Sequence, residues 1–373
     1  MFLFRIYIHV VNVRPTTLCQ VLGVNAVQTC GCCNELLNSK ITLMLFFKIT
    51  IPLRGFFSAA GIVFLLLGAV SCGRTYREEE ADRSMKVLNS DWVNFFSQAS
   101  EKPEMKAIAF LWDQSSAPLP FPKEKFTVGK AYQSYDFEAS KGIYVWDEQT
   151  FVRQADTSLV IFRFEPDTGG VYRSAFILSD FSVAPVGSRP DFPVEMAAML
   201  QVNGAGPLTI NHQATVEEHL PLHITTELRG PDYDLKLKLN RTREQDAGTL
   251  RFTLRMDAGS QEIFSFDLDA AIGYSRQGYF FNQIYFDSRM FRHSVTGKID
   301  YAQIDPTGAD YAGSFNRHSQ ISLFEGRHKV GDIVLAKTAD GELLDYFIRF
   351  SSGEEKLLSD YLPFLKKILN LKY

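Results

Sequence analysis

From about residue 126 to residue 350 the chain mostly alternates between polar and apolar positions, and its clearest stretch holds three such runs in succession. Tyr233, Leu235, Leu237 and Leu239 alternate with Asp234, Lys236, Lys238 and Asn240. Leu250, Phe252, Leu254 and Met256 alternate with Arg251, Thr253, Arg255 and Asp257, and Phe264, Phe266, Leu268 and Ala270 with Ser265, Asp267 and Asp269. Successive strand side chains point to opposite faces, so each run predicts a strand with one buried and one wet face. The links at 241–248 and 258–260 are short, polar and contain Gly, which favours antiparallel neighbours. Less polar segments predict strands at 158–164, 171–183, 194–202, 330–336 and 344–350, and 158–164 is apolar enough on both faces to be a central strand. Residues 142–147 and 151–153 read as a hairpin turning at 147–150.

Helical spacing occurs at the two ends of this region. Trp92, Phe95, Phe96 and Ala99 share one face of a short helix capped by Ser90, before a Pro-rich break at 118–122. Ser352 and Glu355 have capping-box spacing, and Leu357, Leu358, Tyr361, Leu365, Ile368 and Leu369 follow on one side, with Lys366 and Lys367 near the C-terminal end. Pro363 predicts a kink there. The expected fold is mainly β: an antiparallel sheet or sheets, as a sandwich or half-barrel, with a short N-terminal helix and a C-terminal amphipathic helix lying over the sheet as a lid. No crossover helices separate the strands, which argues against a parallel α/β fold. One domain over 85–373 accommodates all of it.

Upstream, the pattern is of another kind. Residues 55–72 form an apolar run preceded by Lys48 and Arg54 and closed by small residues and Cys72. The run is shorter than the ~20 residues of a membrane-spanning helix and has the layout of an export signal. Met44 opens a leader of ordinary signal length, so 1–43 reads as an upstream extension outside the exported chain and 44–71 as the signal, cleaved between Ser71 and Cys72. The rival reading of 1–43 is a metal or redox cluster at Cys30, Cys32 and Cys33, but no downstream pair completes a zinc site.

All five cysteines lie at or before position 72, so Cys72 would be the single thiol of the mature chain. Ala69-Val70-Ser71-Cys72 resembles the lipoprotein signal box of bacteria, departing from it where Ala69 replaces Leu. That resemblance implies acylation of Cys72, with palmitate among the chains, and an anchor at a membrane; plain secretion after Ser71 and an uncleaved anchor are the alternatives. Residues 72–84, with Glu78, Glu79 and Glu80, read as an acidic solvated tether. The acidic run resembles the signal that sends lipoproteins of Bacteroidetes-type bacteria to the cell surface.

Charge then narrows the partners. Five of the 39 basic residues and one of the 43 acidic ones precede residue 73, which leaves 34 and 42, a net of −8. An acidic mature chain argues against nucleic acid, whose affinity comes largely from clustered cations. It also argues against electrostatic docking on an anionic bilayer, which leaves membrane contact to the acyl chains.

Candidate chemistry is sparse. His212, His219 and His223 lie within 12 residues with Glu217 and Glu218, but Pro221 breaks a helical pair, and in a strand 219 and 223 stand roughly 13 Å apart. Neither a metal site nor a cofactor is expected. No nucleophile elbow, phosphate loop or dinucleotide fingerprint occurs, and Asp267 and Asp269 fall on the wet face of a strand. Asn240-Arg241-Thr242 matches a eukaryotic glycan acceptor, at odds with a bacterial signal.

Residues 142–147 with Tyr144, Trp146 and Asp147, the strand Ile161-Phe162-Arg163-Phe164 and the long β-rich remainder resemble a loose group of uncharacterised Bacteroidetes-type outer-membrane lipoproteins. The resemblance covers about 85–373 and implies no catalytic residue. The expected function is a non-catalytic binding or assembly role at the outer membrane, with an apolar ligand such as a lipid, or a protein, as partner. The alternatives are an extracytoplasmic hydrolase of glycans or peptides and a structural subunit of a cell-surface complex.

Overall fold

The structure, a computed structural model of the 373-residue chain, describes residues 74–363 apart from 115–118, 120–134, 167–172, 187–188, 204, 218–219, 276–277, 307, 309 and 339–343. Two helices come first, α1 (Glu78–Ser100) and α2 (Pro103–Asp113), then the short α3 (Phe137–Ser140). Twelve strands follow: β1 (Gly142–Trp146), β2 (Phe151–Ala155), β3 (Val160–Phe164), β4 (Ser174–Val186), β5 (Arg189–Val202), β6 (Leu208–Glu217), β7 (Leu220–Arg229), β8 (Tyr233–Arg241), β9 (Ala247–Ala258), β10 (Gln261–Ser275), β11 (Gly278–Met290) and β12 (His293–Asp300). A 3-10 turn (Tyr301–Gln303) and α4 (Tyr311–His318) lead into β13 (Ser319–Glu325), β14 (His328–Lys337), β15 (Leu344–Arg349), β16 (Glu355–Leu357) and the single turn α5 (Leu358–Tyr361).

The protein is mainly β, and all sixteen strands belong to one hydrogen-bonded sheet. From β16 to β3 they lie in sequence order, each antiparallel to the next, and β1 then pairs parallel to β3 with β2 outside it. The three alternating runs are β8, β9 and β10. Their register sets Leu237 opposite Leu254 and Leu254 opposite Phe266, and aligns Leu239, Phe252 and Leu268 in a second row. The intervening Lys238, Thr253 and Asp267 form a row of the opposite face. Leu239, Leu250 and Phe252 are each 1 % exposed, and burying a side chain of that size is worth roughly 1.5–3 kcal/mol. The hairpin at 142–155 forms as expected, its turn held by the Asp147 carboxylate, which accepts from the backbone N–H of Gln149 (3.1 Å) and Thr150 (2.8 Å).

The core falls into two groups. In one, Ala81, Met85, Leu88 and Trp92 of α1 pack on apolar residues of strands from β7 to β15. In the other, Ala107 and Leu111 of α2 pack on β1–β7, with Phe110 stacked on Phe164 at 5.3 Å.

Three expectations are corrected. Residues 78–84 are not solvated tether but the first turns of α1, and Ala81 and Met85 are fully buried. The acids at 78–80 sit where the positive end of a helix favours them, and they masked the apolar stripe Ala81, Met85, Leu88, Trp92. The capping box at Ser352 and Glu355 does not form. Glu355 begins β16, accepts from Arg349 Nε at 2.8 Å, and α5 extends only to Tyr361. The expected positions Leu365, Lys366, Lys367, Ile368 and Leu369 lie outside the described residues. Among the described residues the β7–β15 core is closed by α1 together with Phe315 of α4 and Leu358 of α5. Finally, β3 has neighbours on both sides but buries one face: Val160, Phe162 and Phe164 are inside while Arg163 is exposed.

Candidate functional site

The described chain begins with a clamp. Thr75 bridges to Lys329 in parallel, the Tyr76 N–H donates to the Lys329 carbonyl (2.9 Å), and the Lys329 N–H donates to the Arg74 carbonyl (3.2 Å). Ser351 Oγ donates to the Tyr76 carbonyl (2.8 Å), the Tyr76 ring stacks on His328 at 5.0 Å, and Arg74 pairs with Glu80 at 2.9 Å. Residues 74–76 thus act as a short extra strand beside β14, and α1 leaves from there.

One turn further on, Ser84 Oγ lies 3.0 Å from His293 Nε2. Opposite His293 in the sheet register is Glu325, which receives Tyr76 Oη at 3.4 Å and Arg292 Nε at 3.0 Å. Burial pushes the Glu325 carboxyl up, but the Ser84 hydroxyl, His293, Arg292 and Tyr76 together hold it below its ordinary value. Burial also lowers the His293 imidazole, outweighing the pull of Glu325. A serine beside a histidine and a carboxylate is the inventory of nucleophilic catalysis, but the arrangement differs in two ways. Ser84 is 3 % and His293 1 % exposed, so no substrate carbonyl reaches the hydroxyl. His293 Nδ1, the atom an orienting carboxylate would hold, has no hydrogen-bond partner among the described residues. Geometrically the cluster is a latch that fixes α1 to the start of β12 and the end of β13.

A surface cleft of about 370 Å³ opens on the other flank of α1, lined by Lys86, Asn89, Lys356, Leu357, Asp360 and Tyr361. Its cations are already engaged: Lys86 with Asp82 (2.6 Å) and Lys356 with Glu78 (3.3 Å). Tyr361 Oη donates to Asp82 at 2.5 Å, and burial followed by that carboxylate raises its phenol well above the usual range. The cleft therefore offers neither a pair of unscreened carboxylates nor an open anion site.

The sequence-predicted candidates scatter. Ser71 and Cys72 lie outside the described residues, as does His219. His212 is buried on β6, with Nδ1 2.8 Å from Thr226 Oγ1 and Nε2 3.1 Å from the Pro193 carbonyl. Burial lowers its imidazole although the Pro193 contact raises it. His223 is on β7, 2.8 Å from Asn240 Oδ1. Among the described residues no three His, Cys, Asp or Glu side chains are grouped to hold a metal ion. Asp267 and Asp269 face Arg255 (2.5 Å) and Arg251 (2.8 Å) across the wet face, a role of pairing rather than catalysis.

Sequence reasoning missed Arg241, which it placed in a polar link. It closes β8 at 1 % exposure, donating from Nε to the Pro221 carbonyl (2.9 Å), from Nη1 to Tyr274 Oη (2.7 Å) and from Nη2 to the Glu217 carbonyl (3.2 Å). Its parity with Leu237 and Leu239, both facing the core, was the signal that could have found it. Among the described residues no helix is long and apolar enough to cross a membrane. No family model matches the chain, and comparison with curated proteins and with solved structures gives no match either.

Proposed function

We propose that the chain is an extracytoplasmic lipoprotein, held at a bacterial outer membrane by acyl chains on Cys72, whose sheet domain binds or assembles rather than catalyses. The observation that carries this reading is an order of features along the chain. An apolar export-like run ends on Cys72, no cysteine follows, and Arg74, two positions on, is already hydrogen-bonded to β14. The finer architecture belongs to the same reading: a sheet curled as a half-barrel around α1, supported by the contact of Met85, Leu88 and Trp92 with strands from β7 to β15. Because those side chains fill the space a lipid-sized groove would need, a protein partner is favoured over an apolar ligand. Mass spectrometry of the native N-terminus tests the anchor: an acyl-modified cysteine at the first position is expected. Labelled palmitate should enter the wild type and not Cys72→Ala; equal incorporation sinks the reading.

A second reading, a hydrolase, draws on the Ser84–His293 contact. A fluorophosphonate probe decides it. Labelling of the wild type that disappears in Ser84→Ala would establish a reactive serine, and the buried geometry leads us to expect none.

A further inference from the structure

The clamp at residues 74–76 uses up the tether. Had 72–84 been a flexible leader, it would have let the domain sit up to ~40 Å from its anchor and turn freely. Instead Arg74 is already fixed to β14, and only two residue steps, at most ~7 Å, separate it from Cys72. A headgroup layer is itself only about 5–7 Å deep on each side of the hydrocarbon. An acyl-bearing sulfur at the interface therefore fixes which part of the fold touches lipid.

That part is one end of the sheet. In an antiparallel meander every second hairpin falls at the same end, and here these are the β7–β8, β9–β10, β11–β12, β13–β14 and β15–β16 connections. Helix α1 runs along this row. Ser84 meets His293 at the start of β12, Trp92 meets Phe291 in the β11–β12 turn (5.2 Å), and Phe95 meets Tyr233 at the start of β8 (5.5 Å). The side of α1 turned away from the core exposes Glu79, Arg83, Lys86 (paired with Asp82), Ser90 and Ser97, with Val93 57 % and Phe96 44 % exposed. Arg327, at the tip of the β13–β14 turn, is exposed beside the clamp. Val93 and Phe96 suit the edge of the acyl region and Arg83 and Arg327 the phosphate headgroups, although Glu79 shares the face and the chain as a whole is acidic.

We propose that this hairpin end, with the outward face of α1, lies directly against the lipid bilayer, so that the opposite hairpins, such as β8–β9 at Glu244, project away from the membrane. The proposal rests on acylation of Cys72. Strand β8 has nine residues, and at ~3.4 Å each it puts Glu244 roughly 30 Å beyond the lipid-facing end.

The mature chain after Cys72 has no cysteine, so a single introduced thiol can be labelled in the processed lipoprotein. Ser97→Cys, Arg327→Cys and Glu244→Cys would each carry a fluorophore. Each variant would be reconstituted in phosphatidylethanolamine–phosphatidylglycerol vesicles containing a headgroup nitroxide lipid. Strong loss of fluorescence at 97 and 327 and none at 244 is the expected result. Equal quenching at all three sites, or more at 244, in protein whose Cys72 carries its acyl mass overturns the orientation while leaving the anchor intact. A bare Cys72 thiol in the same preparation overturns both.

Discussion

The two halves of the core solve the same packing problem with different materials. Where α2 meets β1–β7, the interior is largely apolar, with stacked rings such as Phe110 on Phe164 and Tyr144 on Phe162 (5.1 Å), and Glu104 of α2, Ser174, His212 and Thr226 are its buried polar groups. Where α1 meets β7–β15, the interior also holds the Ser84–His293 contact, the buried guanidinium of Arg241, and Tyr346, whose phenol is raised far above its usual range by burial. A helix held mainly by apolar contacts, as α2 is, tolerates small slips, because dispersion and burial are non-directional. Hydrogen bonds are not so permissive. The half from which the chain enters is thus the half whose helix is fixed in register.

Removing a large side chain from the apolar half should have the largest effect. Phe162 is fully buried on β3, and Phe162→Ala should cost about 4 kcal/mol, read from the denaturant midpoint. A single shifted transition would mean that the continuous sheet couples the halves; a second transition left at the wild-type midpoint would show that they unfold separately.

Next in size is the clasp of the other half. Arg241→Ala leaves the Pro221 and Glu217 carbonyls and Tyr274 Oη without their donor and should cost about 3 kcal/mol. A loss as small as that of an exposed arginine would erase the contrast drawn between the halves.

Acid sharpens the comparison further. His293 in one half and His212 in the other both have imidazoles lowered by burial. On acidification the unfolded chain, with imidazoles near ~6.5, takes up protons before the folded one does. Stability is therefore full above that value and is lost as pH falls towards the lowered folded values. His293 faces Glu325, Arg292 and Asp91, and His293→Gln should flatten part of the loss between neutral pH and pH 5, with His212→Gln flattening the remainder. Midpoints in urea at several pH values check this, and a flat profile in the wild type would refute it. The smallest effect belongs to the surface: Lys86→Ala breaks an exposed pair with Asp82 and should shift stability by less than about 0.5 kcal/mol.

Legibility followed how local the signal was. Strands β8, β9 and β10 and the turn at Asp147 were readable because alternation and turn chemistry act between near neighbours in the chain. The start of α1 was misjudged because three glutamates dominate its first turn while its apolar stripe is dilute. Ser84 and His293 are 209 positions apart. No spacing rule joins them, and nothing in their surroundings along the chain distinguishes them from ordinary polar residues. Arg241 was hidden for a related reason, since an arginine at a strand end ordinarily reaches solvent.

By itself the sequence determined the mainly β class, the presence of most strands and, for β8 to β10, their antiparallel succession and buried faces, because the period of two and the Gly-bearing links express the geometry of single strands and hairpins. Only the tertiary structure decided that all the strands share one sheet and that β1 turns parallel to β3. It also decided that residues 74–76 are held against β14 and that a serine, a histidine and an arginine are locked inside one half. Those outcomes depend on which distant surfaces meet, and hydrophobic burial, being non-directional, leaves that choice to the shape of the whole core.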